Sequence, residues 1–377
     1  MKNMRYVYGI CAGCLCAVIA YAQFSVLPSA GMTAKNPLYI FERMGESIGT
    51  IFTFGREAKI TRFIILAEER LSEASVLAGE RHQKTEDTIA AFDSYVQKAE
   101  TEVDREHTAM ARVALLESVA KHFVVFEEVL DTVSEEMRVS IEMSFEEDRK
   151  RQKRLLFETA DADALIASEL GFASIRERLA RLKIEVERGR QYETAIITGH
   201  IKDLFAVLAS AALHEESPSK EFLVLLSNDI TRALESFDEI QRSPKYPSGE
   251  VGGTIHALKE QLIGVQISLS RNMIPIDPEF VLDVLFAGAE SRIAAFDRLG
   301  EGQEEIARMM LSEYEEYLVF ADEVETRTGR FILDREQNIT IANEIQQRIS
   351  AFNAQIAVKR GVFPGDIESN IDRIISR

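Results

Sequence analysis

The chain has 377 residues and a strong excess of acidic side chains, with 62 Asp and Glu against 44 Lys and Arg and a net charge of −18. This charge disfavours general binding to nucleic acid or to anionic lipid, because like charges repel. The hydrophobic content of 46% is typical of a folded chain and excludes wholesale disorder. At roughly 100 to 200 residues per domain, the length allows about two domains.

The first 22 residues have the layout of an export segment. Lys2 and Arg5 precede 17 residues without charge, and the stretch ends in small residues at Ala20 and Ala22 that suit a signal peptidase. The sequence therefore predicts export. Residues 1–22 are expected to be either a signal peptide cleaved after Ala22 or a single transmembrane anchor, since a membrane-spanning helix needs about 17 to 25 residues.

All three cysteines lie in this segment, at Cys11, Cys14 and Cys16. Without residues 1–22, the chain carries 42 basic and 62 acidic residues, a net charge of −20. The predicted exported part has no cysteine with which to form a disulfide. Its apolar core must therefore stabilise it alone.

The residues after the export segment favour long helices. No proline occurs between Leu38 and Ser217, so this region lacks the residues that β-turns need. A break at residues 78–80, with a place for a left-handed residue at a helix end, precedes a second helical pattern that begins by Ile89. The first pattern places apolar side chains three and four residues apart, at Ile60, Phe63, Ile64, Ala67, Leu71 and Ala74.

These patterns predict an all-α fold, an elongated bundle of long antiparallel helices that form tandem helical hairpins behind the N-terminal segment. Strand-like alternation is nowhere sustained. Acidic side chains such as Glu69 and Glu73 lie off the apolar stripe, and we interpret the carboxylates of these helices as solvent-facing.

The same hairpin is predicted twice, because a shift of 222 positions matches the first helical pattern to a later one. A duplication and a chance likeness between amphipathic helices both explain this match. The predicted hairpin core consists of Phe63, Ala67, Leu71, Phe92 and Tyr95 in the first case and Phe286, Ala289, Ile293, Tyr314 and Tyr317 in the second.

Three sequence motifs follow the export segment in order. They are Leu27-Pro28 with Pro37-Leu38-Tyr39, then Phe52-Thr53-Phe54, then Ala67-Glu68-Glu69-Arg70-Leu71-Ser72-Glu73-Ala74. This order resembles the exported bacterial family known as domain of unknown function 5667. The region from His122 to Lys153 is similar to the closing hairpin of that family, with Ser134 in place of a turn proline and expected to cap the next helix. The resemblance implies an exported or membrane-anchored helical domain over about residues 27–156 and no known chemistry.

The predicted organisation has four parts. Residues 1–22 are the signal peptide or anchor, and residues 23–156 are the domain that resembles the family. Residues 157–243 form a middle helical segment. A loop rich in proline and glycine then leads to a C-terminal helical domain at residues 254–377, either a divergent repeat of the first or unrelated to it.

The chemical motifs of enzymes and metal sites are not found in the sequence. The six histidines are widely scattered, and no two lie three or four residues apart as a helical zinc or di-iron site needs. No cysteine remains for catalysis after residue 16, and no Gly-x-Ser-x-Gly or glycine-rich phosphate loop is present. We therefore expect no catalytic, cofactor-binding or metal-binding residue and no cofactor.

One helical segment is locally basic, with six Arg and Lys between Arg176 and Arg190 against three Glu. A basic amphipathic helix can bind an anionic membrane or an acidic partner. Pairing with the chain's own acidic helices is favoured, because those helices are always close.

These observations predict a non-enzymatic, exported or membrane-anchored helical protein with a structural or protein-interaction role at the bacterial cell envelope. The expected partner is an unidentified envelope protein, together with the membrane if residues 1–22 are uncleaved, and nucleic acid is not expected. An extracytoplasmic sensor that binds an apolar or cationic ligand between hairpins is the alternative. A hydrolase with a carboxylate pair is a third hypothesis.

Overall fold

A computed structural model describes residues 27–29, 33, 39, 53–106, 108–214, 220–300, 303–331, 335–359, 361–363 and 365–376. These residues form twelve helices and no strand, which confirms the predicted all-α fold of antiparallel helical hairpins. The predicted export residues Lys2, Arg5, Ala20 and Ala22 lie outside the described residues.

The helices cover most of the described chain. In chain order they are α1 (Arg56–Gly79), α2 (Thr85–Glu106), α3 (Ala109–Thr132), α4 (Glu135–Ala162), α5 (Ala164–Arg188), α6 (Gln191–His214), α7 (Lys220–Gln241), α8 (Glu250–Met273), α9 (Pro278–Asp297), α10 (Glu304–Phe331), α11 (Arg335–Ala357) and α12 (Gly365–Ile375).

The chain divides into two compact units, one ending at Leu170 and the other beginning at Gly171, within α5. In the first unit, α1 packs on α2 and α3, while α4 packs on α2 and α3. In the second unit, α8 packs on α6, α7, α9 and α10, and α9 also packs on α7, α10 and α11. Residues 242–249 connect α7 to α8 inside the second unit and include much of the loop proposed as a domain boundary. The predicted domain limits remain predictions.

The first hairpin turns where the sequence predicts. Helix α1 ends at Gly79, but the residue with left-handed backbone is Arg81, with φ of 54°. The Arg81 and His82 backbone N–H groups donate to the carbonyls of Ala78 and Leu77 at 2.8 and 2.9 Å. These bonds satisfy carbonyl groups that the helix end would otherwise leave without partners.

Helix N-termini differ in how they are capped. The Thr108 side chain accepts a hydrogen bond from the Ala111 N–H of α3 at 3.3 Å. Ser134 occupies the same position before α4, but its side chain makes no capping bond. The expected Ser134 side-chain cap is therefore wrong, and α4 begins with two acidic residues in its first turn, which favour the positive end of the helix dipole.

Most of the predicted hairpin core lies in the interior. Phe63 and Tyr95 are half-buried and stack with their ring centroids 6.5 Å apart. Phe92 packs edge-to-face on Phe126 at 5.4 Å, a favourable aromatic geometry. The buried members are Ala67, Leu71, Phe92, Phe286, Ala289, Ile293, Tyr314 and Tyr317.

Two glycines allow close approaches in the second unit. A Cβ at Gly288 would lie 2.4 Å from Cε1 of Tyr317, a ring that is fully buried. At Gly252 a Cβ would lie 2.1 Å from the Pro247 carbonyl oxygen. Any larger side chain would force these neighbours apart.

Candidate functional site

Buried charged side chains are the most unusual feature of both units. The interpretation of the helical carboxylates as solvent-facing is wrong for seven of them. Each is at most 6% exposed, and each lies beside a cation, a histidine or a hydroxyl: Glu68, Glu73, Asp148, Glu185, Asp229, Asp238 and Glu313. An unpaired carboxylate at such positions would be strongly disfavoured, so the pairing is what permits their burial.

The first cluster joins two of the sequence motifs. Arg70 Nη1 in α1 donates to the Tyr39 hydroxyl oxygen at 2.6 Å, and that hydroxyl donates to Glu73 Oε2 at 3.1 Å. Arg70 Nη2 also lies 2.7 Å from Glu73 Oε1. Between these two residues, the Ser72 hydroxyl donates to the Pro28 carbonyl oxygen at 2.7 Å. Pro28 and Tyr39 are thus held on this helix by polar contacts.

The second cluster has the composition of a catalytic triad. Ser118 and His122 lie four residues apart on α3, with Oγ 3.2 Å from Nε2, and His122 Nδ1 lies 2.6 Å from Asp148 Oδ2 on α4. Arg151 holds the other oxygen of Asp148. Sequence reasoning missed this cluster, although the four-residue spacing of Ser118 and His122 was a readable signal.

The surroundings of this triad-like cluster support a structural role. The Ser118 hydroxyl donates its hydrogen bond to Glu68 Oε1 at 2.9 Å, so it does not donate to His122 as a catalytic serine would. Ser118 is 2% exposed and His122 and Asp148 are 0% exposed. A nucleophilic serine must reach a substrate carbonyl, and these side chains are closed off from solvent.

The third cluster brings four charges together in the second unit. Lys259 Nζ on α8 lies 2.6 Å from Asp238 Oδ1 on α7 and 2.8 Å from Glu313 Oε2 on α10. Arg292 on α9 forms a bidentate pair with Asp238, at 2.9 and 2.5 Å, and lies 3.0 Å from Glu313. Lys259 also donates to Gln241 Oε1 at 2.7 Å.

The charges of this cluster balance, with two cations and two carboxylates. Burial alone would lower the pKa of Arg292, but Asp238 and Glu313 raise that pKa above its ordinary value. The guanidinium is therefore held in its charged form by its neighbours. Removing one member would leave an uncompensated buried charge, so the four side chains fix how four helices meet.

The locally basic helix pairs within its own unit, as the sequence predicts. Arg176 and Lys183 on α5 lie 2.7 Å from Asp229 and Glu239 on α7. The buried Glu185 of the same helix is surrounded by three arginines, Arg181, Arg188 and Arg190.

A surface groove between α8 and α10 encloses about 460 Å³. Gly264, Ile267 and Phe320 contribute to its apolar lining, and its charged lining residues are Glu315, Glu316 and Arg271, the last of which pairs with Glu323. Burial, together with repulsion from Glu260 and Glu313, raises the pKa of Glu316. No cation among the described residues pairs with this carboxylate.

The described part of the chain has one candidate membrane span and no metal-binding cluster. No group of three or more His, Cys, Asp or Glu side chains there is arranged to hold a metal ion. One stretch, Gln191–Ala212 in α6, is long and apolar enough to cross a bilayer, and 56% of its most apolar window is buried. Its packing on α8 is that of a core helix.

The helices and clusters define a class, an all-α protein of helical hairpins with ion pairs buried in their cores. Residues 31–138 match the model of the family described as Domain of unknown function (DUF5667), which confirms the resemblance in the sequence.

The chain is also similar to a solved structure described as a circular tandem repeat protein with novel repeat topology and enhanced subunit contact surfaces. The TM-score is 0.64 at 13% identity, over 90% of this chain and 74% of that one. At this identity the likeness shows the fold alone. A comparison with curated proteins gave no match.

Proposed function

We propose that the chain is a non-enzymatic, exported helical protein with a structural or protein-interaction role at the bacterial cell envelope. The observation that carries the proposal is that the clusters of polar side chains are buried away from solvent. The groups best suited to catalysis are buried, with Ser118 bonded to His122 and the Asp238 and Glu313 carboxylates both paired with Lys259 and Arg292. Such clusters specify how helices pack, which suits a scaffold.

The absence of serine-hydrolase activity can be tested directly. A fluorophosphonate probe bonds covalently to a nucleophilic serine hydroxyl. The folded full-length chain should remain unlabelled, because the Ser118 hydroxyl is buried and bonded to Glu68. Labelling that disappears in Ser118→Ala would contradict a non-enzymatic role.

Envelope localisation rests on the predicted export segment, residues 1–22. Cell fractionation of the full-length chain should recover it outside the cytoplasm, and a chain lacking residues 1–22 should stay in the cytoplasm. The mass of the mature N-terminus decides between the two forms of the proposal. A chain that begins at Gln23 was cleaved after Ala22, and an intact N-terminus in the membrane fraction identifies an anchor. Full-length protein found in the cytoplasm would refute export.

Partner capture tests the interaction role. Crosslinking in intact cells, followed by purification of the tagged full-length chain, should recover the same envelope protein in repeated preparations. The chain without residues 1–22 is the matched control, since it folds the same helices in another compartment. Recovery of one set of proteins with both chains would argue against an envelope partner.

Ligand sensing is the second candidate, and the groove beside Glu316 favours it. An apolar lining with a half-buried carboxylate suits a cation on an apolar stem, because such a ligand would offset the burial and the repulsion that raise the pKa of Glu316. A thermal-shift screen of cationic amphiphiles should then give a ligand that raises the melting temperature of the full-length chain. The shift should vanish in Glu316→Gln, and a shift of equal size in that variant would exclude this site.

A further inference from the structure

We propose that the chain contains three copies of one four-helix repeat, α1–α4, α5–α8 and α9–α12, with a buried arginine at an equivalent position in each. The sequence match between the first and last hairpins suggests two copies. The middle copy is recognised only in the structure, from the positions of its helices and of their buried residues. The inference rests on the fold and goes beyond the proposed envelope role.

A buried arginine occupies the same position in the first helix of each copy. Arg70, Arg178 and Arg292 are each the fifteenth residue of the first helix of a copy. Each is at most 2% exposed, and all three are among the largest fully buried side chains of the described chain. A fully buried arginine is rare, so three at one helical position are not expected by chance.

The residues around these arginines are buried in the same pattern. The next residue is apolar and buried in every copy, as Leu71, Leu179 and Ile293. Four further positions, the eleventh, twelfth, nineteenth and twenty-second, counted from the start of the first helix, are buried in all three copies. The same helix face therefore points inward each time.

The same helix pairs pack in the first and third copies, and part of that pattern is found in the middle copy. In the first copy α1 packs on α2 and α3, α4 packs on α2 and α3, and α2 packs on α3. In the third copy α9 packs on α10 and α11, α12 packs on α10 and α11, and α10 packs on α11. In the middle copy α8 packs on α6 and α7, and α5 reaches α7 through the ion pairs of Arg176 and Lys183.

The four-charge cluster lies at the junction of the second and third copies. Arg292 of the third copy reaches back to Asp238 on the third helix of the second, and Lys259 of the second copy reaches forward to Glu313 of the third. A repeat that cannot bury its own faces is stabilised by such contacts with its neighbour.

The copies differ in what contacts this arginine. In the first copy the Tyr39 hydroxyl contacts Arg70, whereas in the third Asp238 of the second copy contacts Arg292. In the last copy, the nineteenth residue of α11 is Asn353, whereas Asp238 is the nineteenth of α7. Asn353 instead accepts a bond from Tyr314 within its own copy.

The three arginines of the full-length chain provide the first test. Arg70→Met, Arg178→Met and Arg292→Met should each lower the melting temperature by about 5 °C or more, because each removes a buried cation from beside a carboxylate, Glu73, Glu177 or Asp238. Arg298→Met is the matched control on an exposed face of the third copy and should change it by about 1 °C or less. If only one or two of the buried positions responded, the three copies would not be equivalent.

Hydrogen exchange tests the junction. Arg292→Met should raise amide exchange in α7 and α8 of the second copy, as well as in α9, by about tenfold or more. Asp238→Asn keeps the shape of the side chain and should have the reciprocal effect on α9, so the test survives if the arginine variant fails to fold. Exchange that rises only within the mutated copy would overturn the junction.

Discussion

At the scale of single residues, buried polarity and close packing occur together. Tyr317 is fully buried, its ring lies against Gly288, and its hydroxyl donates to Gln266 Oε1 at 2.8 Å. Gln266 in turn donates to the Thr231 hydroxyl oxygen at 2.9 Å. Gly288 therefore allows the close packing of the Tyr317 ring, which in turn positions the hydrogen bonds through Gln266 to Thr231.

Gly288→Ala should reduce the free energy of unfolding by about 1 to 3 kcal/mol, because the new methyl group would overlap the Tyr317 ring. Gly264→Ala is the matched control, since its Cβ meets nothing within 4 Å in the middle of α8. That substitution should increase the free energy of unfolding by up to about 1 kcal/mol through helix propensity. Urea denaturation of both variants measures the difference, and equal effects would refute the packing argument.

Glu316 should make stability depend on pH. Its pKa is raised in the folded chain, so the ionised form is disfavoured there and costs stability at neutral pH. Glu316→Gln should therefore increase the free energy of unfolding at pH 7, and the gain should disappear below the ordinary glutamate pKa, where both states are protonated. Asp366→Asn should have the opposite sign at pH 7, because Arg308 lowers the pKa of that carboxyl. Chemical denaturation at pH 7 and pH 4 compares these effects.

At the scale of helices, periodicity predicted where helices form but not which charges they bury. The apolar stripe of α1 was readable, because Ala67 and Leu71 recur at helical spacing. Glu73 was assigned to the polar face, and yet it is 0% exposed beside Arg70. Its burial depends on Tyr39, which lies 34 residues away.

The buried clusters of other helices were hidden for the same reason. Arg292 and its partner Asp238 are 54 residues apart, and no local pattern announces such a pair. Only part of the triad-like cluster could be predicted from the sequence, because Ser118 and His122 share one helix but Asp148 lies on the next. Long-range partners decide whether a charge can be buried, and periodicity contains no information about them.

Capping gives a prediction at this scale. Thr108→Ala should reduce the free energy of unfolding by about 1 kcal/mol, because it removes the acceptor for the Ala111 N–H. Ser134→Ala should change it by less than about 0.5 kcal/mol, because that hydroxyl makes no capping bond. Thermal denaturation of the two variants compares them. A larger loss at Ser134 would contradict the geometry of α4.

At the scale of the whole molecule, the net negative charge and the internal pairing of basic side chains both reduce attraction to anionic surfaces. The part after residue 22 carries a net charge of −20. Arg176 and Lys183 of the basic helix α5 pair with Asp229 and Glu239 of the same unit. Little free positive charge therefore remains on that helix to attract an anionic surface.

Vesicle binding should reflect this balance. Residues 23–377 should remain in the supernatant when sedimented with vesicles rich in phosphatidylglycerol at low salt, because repulsion is then strongest. A double variant, Asp229→Asn with Glu239→Gln, releases Arg176 and Lys183 and should bind more than the unmodified chain. Strong binding by the unmodified chain would mean that α5 is open to lipid.

The four-charge junction also constrains how this sequence can change over time. Loss of Arg292 alone would leave two buried carboxylates, Asp238 and Glu313, with the single cation Lys259, and a later loss of either carboxylate would then restore the balance. Single steps away from the present set are therefore disfavoured, whereas joint replacement by apolar side chains of similar volume is not. Related chains should keep Asp238, Lys259, Arg292 and Glu313 as a set or have exchanged them together, so that these positions vary in concert.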